Sequence, residues 1–254
     1  KKTFKMFLRR FVKKNKIKVI FPFSEYEQDV LSLEKNYYKK KGVEVIISNS
    51  HIIRICNNKI NTYKFLNHLK ISSPKLFNFK KVKKNLPIVI KKKNGSGSVS
   101  QLVLKDKNII PVKEDKNFIY QKFYNAQEYG LDILNDLNGN FLHFTVKKKI
   151  AMRAGDTDRA IVVNPKRFKN LANTISKNLK HVGNLDVDFL LLKEKIFVLD
   201  LNPRFGGGYP FTHEYGYNYI EKIFDLLNNK KLNKFKKFSD KKIIFSKGIT
   251  IHKH

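Results

Sequence analysis

Asp200 and Asn202 stand two residues apart in Ile196 to Leu201 and its continuation, a segment that reads as a strand, so both side chains leave the same face of a sheet. Leu185 to Leu192 reads as the preceding strand. If the turn is Lys193-Glu194-Lys195, centred on Glu194, Asp188 falls directly opposite Asp200. Opposed residues of a hairpin have Cβ atoms about 4.5–5.5 Å apart, and like charges so placed destabilise the sheet unless a cation joins them. Two carboxylates and an amide oxygen are hard donors of the kind Mg²⁺ takes, with phosphate oxygens and water filling the rest of its shell. Mn²⁺ is the alternative ion. A different turn length would send Asp188 to the other face. The next residues, Pro203-Arg204-Phe205-Gly206-Gly207-Gly208, supply a guanidinium suited to phosphate or carboxylate. The three glycines either let a ligand approach the backbone or supply positive φ in a loop.

Two further groups of residues point toward phosphates. Ile88-Val89-Ile90-Lys91 ends an apolar strand on a lysine, and Asn94-Gly95-Ser96-Gly97-Ser98 follows. A Gly/Ser loop there can close over phosphates with N–H and hydroxyl donors, although the lysine precedes the glycines, unlike the common phosphate-binding loop. In Gln121-Lys122-Phe123-Tyr124 the backbone could read an adenine edge, and Glu128 could accept from ribose hydroxyls. Arg153 and Arg159 flank Gly155-Asp156-Thr157-Asp158; they either grip phosphate or substrate or pair with those acids.

These residues need elements to hold them. Phe4, Phe7, Leu8, Phe11 and Val12 form a helical stripe. It could lie on a membrane, but the strand pattern of Ile17 to Phe21 that follows favours a helix covering a sheet. Glu25 to Lys41 reads as a helix, Val43 to Ser48 as a strand and Asn57 to Leu69 as a helix, which together make half of a doubly wound parallel sheet. The opening at Lys1 is read as that of a fragment, with further strands of the half sheet expected before it. From Leu86 the pattern becomes α+β: strands at Ile88–Lys91, Gln101–Leu104, Phe118–Phe123, Tyr129–Leu134, Phe141–Lys148 and Ala160–Val163. A helix over Phe168–Leu179, the carboxylate hairpin, a helix over Tyr219–Leu227 and a last strand at Ile243–Ile251 complete it.

Composition limits the alternatives. Of 254 residues, 53 are Lys or Arg and 21 Asp or Glu, a formal net charge of +32. Such a field attracts phosphate backbones, but 46 of the cations are lysine and only 7 arginine, and they are scattered through every segment. With 26 Asn and 5 Ala, the charge reads as the footprint of AT-rich coding rather than of specific nucleic-acid recognition. The 21 Phe and 11 Tyr suffice for a core. No apolar run approaches a membrane span, and the single Cys56 cannot form an internal disulfide, so a reducing, cytoplasmic setting is expected.

Taken together, Lys59 in Asn57-Asn58-Lys59, Lys91 before the Gly/Ser loop, Gln121 to Asp132, Gly155-Asp156, and Asp188 with Asp200-Leu201-Asn202-Pro203-Arg204 resemble the ATP-grasp superfamily. Their order is most similar to its carbamoyl-phosphate synthase large-subunit-like branch, as a single module. The resemblance implies an α/β and α+β fold: a truncated pre-ATP-grasp half-domain over 1–74, a small lid subdomain over 75–120 and a large subdomain over 121–254. It also implies an ATP-dependent carboxylate–amine ligase, in which an acyl phosphate forms and an amine or similar nucleophile displaces phosphate. Lys59 and Lys91 would then hold phosphates, capped by Ser96 and Ser98; Gln121, Phe123 and Tyr124 would frame adenine, and Glu128 the ribose. Asp188, Asp200 and Asn202 would bind Mg²⁺, leaving Arg204 near the transferred phosphate, with Lys91 and Arg153 as further candidate catalytic cations. The chain departs from the pattern at Asn58 for an acid, Lys92 for proline, Ser100 for glycine and Asp200 for glutamate. The alternative function is an ATP-binding protein without ligase turnover; a basic nucleic-acid-binding protein ranks below it. The expected partners are a small carboxylate and an amine, neither of which the sequence names.

Overall fold

In a computed structural model, which describes residues 2–95, 101–106, 113–240 and 243–248, the chain forms three sheets, each built where its apolar pattern demands. The first is a parallel pair, β1 (Val19–Ile20) and β2 (Glu44–Val45). Helices α1 (Lys2–Lys14) and α2 (Glu25–Lys39) cover it, burying Val12, Leu31, Tyr38 and Val45 together. Ser24 and Glu27 form a capping box that starts α2. Glu34, on the buried side of α2, is tied to α1 by Lys5 at 2.6 Å and Arg9 at 2.5 Å. This is the α/β entry expected from the sequence, with strands cut to two residues each.

Helices α3 (Ser50–Cys56) and α4 (Lys59–His68) follow; α3 has too few turns to show a stripe in the sequence and was not anticipated. Ile52, Cys56, Tyr63 and Leu66 leave the small parallel pair and join the core of the largest sheet. The second sheet, in the order β3-β6-β4-β5, comprises β3 (Leu76–Phe77), β4 (Ile88–Lys92), β5 (Leu102–Leu104) and β6 (Phe118–Lys122). Alternation along β4 sends Ile88 and Ile90 into the core of this sheet with Val82, Leu104 and Tyr120. Val89 and Lys91 therefore face the other way. The expected subdomain edge at 120/121 falls inside β6.

The third sheet is antiparallel, in the order β11-β10-β7-β8-β9-β12. Its strands are β7 (Gln127–Asn135), β8 (Phe141–Arg153), β9 (Asp156–Val163), β10 (Gly183–Leu192), β11 (Lys195–Asn202) and β12 (Ile244–Ser246). One face packs on α5 (Lys169–Leu179), burying Leu131, Val146, Leu185, Val187 and Phe189 against Ala172 and Ile175. Helices α6 (Tyr209–Glu214) and α7 (Tyr219–Leu227) close one end around Tyr209, Tyr219 and Ile223. The part of the last strand expected beyond 248 lies outside the described residues.

Candidate active site

The face of the large sheet opposite α5 is polar, because alternate positions on four neighbouring strands carry charge. On β10 Asp186 and Asp188 alternate with the core residues Leu185, Val187 and Phe189. Asp188 pairs with Asp200, and Asp186 with Asn202, across the β10–β11 hairpin. The opposition of the two carboxylates thus holds, by a different route from the one expected. The turn is the two residues Lys193-Glu194, closed by Leu192 opposite Lys195, with Lys193 at φ +54°. A bulge after Asp188 then adds one residue on β11, and the added residue restores the pairing that the longer turn would have given.

Cations from other elements meet these acids. Lys149 of β8 lies with Nζ 2.5 Å from Asp188 and 2.7 Å from Glu128. Lys59, at the start of α4, is 2.9 Å from Asp200, and Lys91, at the end of β4, is 3.7 Å from its other oxygen. Asn58 caps α4 and donates to Asn94 at 2.8 Å, and the N–H of Lys59 donates to the Lys93 carbonyl at 2.9 Å. The residue that replaces an acid in the family pattern therefore ties the helix to the strand that presents Lys91. Burial works against charge at Asp188, but Lys149 outweighs it and holds the carboxyl below its usual range. Burial also opposes the charge on Lys149, and Asp188 and Glu128 together raise its pKa well above the usual lysine value. At Asp186, burial and then Asp188 and Asp132 push the carboxyl up to about 7, against the pull of Arg204 3.8 Å away.

The glycine loop is shaped by these acids. None of Gly206, Gly207 and Gly208 has positive φ, so the conformational reason for glycine does not apply. What does apply is close approach: a methyl at Gly206 would lie 2.1 Å from Asp186 Oδ2, and one at Gly207 1.8 Å from Asp156 Oδ1. Beneath the loop Lys147 is paired with Asp132, and Thr212 of α6 donates to the same carboxylate. Lys147 is 1% exposed and Asp132 0%.

All of this surrounds one cavity of about 520 Å³ between the second and third sheets. Of the nucleotide candidates, Lys59, Lys91, Gln121, Phe123, Tyr124 and Glu128 border it. Asp188, Asp200, Asn202 and Arg204 border it from the hairpin side. Gln121 accepts from Tyr63 at 2.9 Å, and Tyr124 stacks on Phe197 with centroids 4.4 Å apart. Ser96 and Ser98 lie outside the described residues. Arg153 does not border the cavity; it is exposed and pairs with Asp158, the second of the two roles left open for it. The sequence reading missed Lys147, Lys149 and Asp186. The signal was period two, since each stands two residues from another charged position on its strand, but the lysines were absorbed into the general lysine excess.

The donor set suits a hard cation: two opposed carboxylates, with the Asn202 carbonyl oxygen beside them while its N–H₂ group donates to Asp186 at 3.5 Å. Among the described residues no three or more His, Cys, Asp or Glu converge on one cation position. That is consistent with sites in which one or two carboxylates act with substrate phosphates rather than as an all-protein cage.

The model of the ATP-grasp domain family matches residues 56–208, more than half of the chain and all of this cavity's principal acids and lysines, and the chain belongs to that family. Solved structures agree on the fold. A biotin carboxylase from Campylobacter jejuni in complex with β,γ-ATP is similar at 14% identity and a TM-score of 0.73, over 89% of this chain and 58% of that one. The biotin carboxylase domain of 2-oxoglutarate carboxylase from Hydrogenobacter thermophilus, in complex with MgADP, ADP and bicarbonate, gives 11% and 0.72, over 90% and 57%. D-alanine–D-alanine ligase from Bacillus anthracis complexed with ATP gives 19% and 0.63, over 89% and 84%. The chain thus spans under two thirds of the carboxylase chains it resembles. No curated protein matches it in sequence. Among the described residues no helix is long and apolar enough to cross a membrane.

Proposed function

We propose that the chain is an ATP-dependent carboxylate–amine ligase, a single module of the carbamoyl-phosphate synthase large-subunit-like branch of the family. The observation that carries this reading is the hairpin that opposes Asp188 to Asp200, with lysines from α4 and β4 meeting it across one cavity. Phosphoryl transfer demands mainly positioning and charge neutralisation, and this wall offers both. ATP lies with its adenine toward Gln121, Phe123 and Tyr124 and its ribose toward Glu128, while Lys59 and Lys91 take its phosphates. Asp188, Asp200 and Asn202 would hold Mg²⁺ or Mn²⁺, which when bound neutralises phosphate charge and orients the γ-phosphate. Arg204 holds the acceptor carboxylate, whose oxygen bonds to the γ-phosphorus as the bond to ADP breaks and ADP leaves with the electron pair. The amine then bonds to the carbonyl carbon, the carbon–oxygen bond to phosphate breaks, and the nitrogen gives up a proton. Asp200 is one methylene shorter than the glutamate common in the family, and Lys59 reaches it at 2.9 Å and Lys91 at 3.7 Å.

The test is the unfolding midpoint with ATP, with and without Mg²⁺, for the wild type and Asp200→Asn. At about 100 times its dissociation constant a ligand stabilises by about 2.7 kcal/mol, a rise of about 5–11 °C for a chain of this size. The wild type should gain this with MgATP and the variant far less. ADP release is then screened against pairs of carboxylates and amines. A melting response with no ADP release from any pair favours ATP binding without turnover, and no response to MgATP refutes the nucleotide reading.

A further inference from the structure

The carboxylates assigned to the metal are already satisfied by the chain's own cations. Lys149 bridges Asp188 and Glu128, and Lys59 and Lys91 share Asp200. Each of these three lysines is less than one tenth exposed. Lys149 comes from β8, two strands away from Asp188 on β10, and β7 lies between them. The β7 residue opposite Asp188 is Gly130. A methyl there would lie 3.4 Å from Cε of Lys147 and 3.6 Å from Cε of Lys149, ordinary contact distances, so both lysines pass over this position on their way across the strand.

We propose that Lys149 is the resident counter-ion of the metal position: its ammonium keeps Asp188 from free divalent cations until nucleotide phosphates arrive, so that metal and nucleotide enter together. The inference rests on the reading of Asp188 and Asp200 as metal ligands. A metal entering alone must displace these ammonium groups: Lys149 would keep only Glu128, while Lys59 and Lys91 would lose the one ion-pair partner each has among the described residues, and a buried charge stripped of its partner is costly. Nucleotide entering alone draws Lys59 and Lys91 onto its phosphates and leaves Asp200 uncompensated beside Asp188. Together each supplies what the other removes, since phosphates receive the lysines and the metal receives the carboxylates. Such coupling is reciprocal, so ATP tightens metal binding by the factor by which metal tightens ATP. Lys149 acts here through Asp188 and is a positioning residue.

The experiment titrates Mn²⁺, followed by the loss of its free-ion electron paramagnetic resonance signal, into the wild type, Lys149→Gln and Lys149→Arg, with and without ATP. Site couplings usually span about 5- to 150-fold, and we expect ATP to tighten Mn²⁺ binding to the wild type by about tenfold or more. Lys149→Gln should bind Mn²⁺ without nucleotide about tenfold more tightly than the wild type and show weaker coupling. Lys149→Arg, which keeps the cation, should behave as the wild type. If Lys149→Gln does not fold, Lys59→Gln, which leaves Asp200 with Lys91 as its one remaining cation, carries the same expectation for Mn²⁺ binding without nucleotide. A lysine that merely braced the sheet would lower the melting point without creating a nucleotide-free Mn²⁺ site, and that result overturns the proposal. So does wild-type Mn²⁺ affinity indifferent to ATP while MgATP still raises the melting point. Absence of any melting response to MgATP instead removes the nucleotide reading itself.

Discussion

Lys147 and Asp132 form the most deeply buried ion pair among the described residues, and breaking it from one side should be among the costliest single changes in the molecule. Lys147→Met leaves a carboxylate that is fully buried, with Thr212 as its remaining hydrogen-bond donor. Removing one partner of a buried pair costs about 3–5 kcal/mol, because the other charge stays without compensation. At about 2–4 °C per kcal/mol for a chain of this size, the unfolding midpoint should fall by about 6–20 °C. The double variant Lys147→Met, Asp132→Leu removes both charges and fills the space. It should recover most of the loss, short of about 1–3 kcal/mol for the Thr212 hydroxyl left without its acceptor. Differential scanning calorimetry of the wild type, both single variants and the double variant closes the cycle. A single-variant cost under about 2 kcal/mol, or a double variant as unstable as the sum of the singles, would refute the reasoning. The pair also anchors α6 through Thr212 beneath the glycine loop, so Lys147→Met should weaken MgATP stabilisation as well as the apo fold.

Adjacent glycines should respond unequally to alanine. Gly206→Ala drives a methyl toward Asp186, which is 9% exposed and hemmed by Asn202 and Arg204, and should cost about 1–3 kcal/mol in a denaturant titration. Gly207→Ala meets Asp156, a half-exposed side chain that can swing aside, and should cost less than about 0.5 kcal/mol; equal costs would sink the close-approach argument. His181 is buried, with Nε2 3.1 Å from the Ile133 carbonyl and Nδ1 3.4 Å from the Asn135 amide nitrogen, so a second ring proton has no acceptor. Burial pushes it, like His143, down to about 4. A depressed folded pKa means stability present above the ordinary value of 6.5 and lost as pH falls toward 4; Asp186, raised to about 7, gains in the same interval and offsets part of it. The melting point should therefore fall across that window, and less steeply in His181→Gln than in the wild type. Cys56 is buried, and burial pushes its thiol up, so a disulfide reagent should label it only after unfolding in guanidinium.

Much of the molecule was legible in one dimension because its strands and helices obey local rules. Apolar spacing at Phe4 to Val12 and at Phe168 to Leu179 marked α1 and α5, and a helix around Tyr219 to Leu227 marked α7. The elements α3 and β3 were not legible, since seven helical and two strand residues show too few repeats of a period, whereas the equally short β1 and β2 lie inside the longer strand patterns of Ile17 to Phe21 and Val43 to Ser48. β8 runs on to Arg153, past the expected end at Lys148, because its ladder with β9 continues to Asp156, and the charge on Lys149 is met by Glu128 on β7 and Asp188 on β10, residues that no local window contains.

By itself the sequence determined which residue types stand two apart on the hairpin, that acids, lysines and a glycine run occur in a family order, and that a lysine ends strand β4. These are properties of chain order and side-chain alternation, which need no knowledge of distant segments. Only the tertiary structure decided how Asp188 comes to face Asp200, since the register is set by a two-residue turn and a bulge that compensate one another. It alone decided that Lys59, Lys91 and Lys149 converge on those acids out of 46 lysines, and that the glycines are required by carboxylates packed against them. The physical reason is the same in each case: charge pairing and steric exclusion act through space over a few ångströms, between residues that the chain separates by tens of positions.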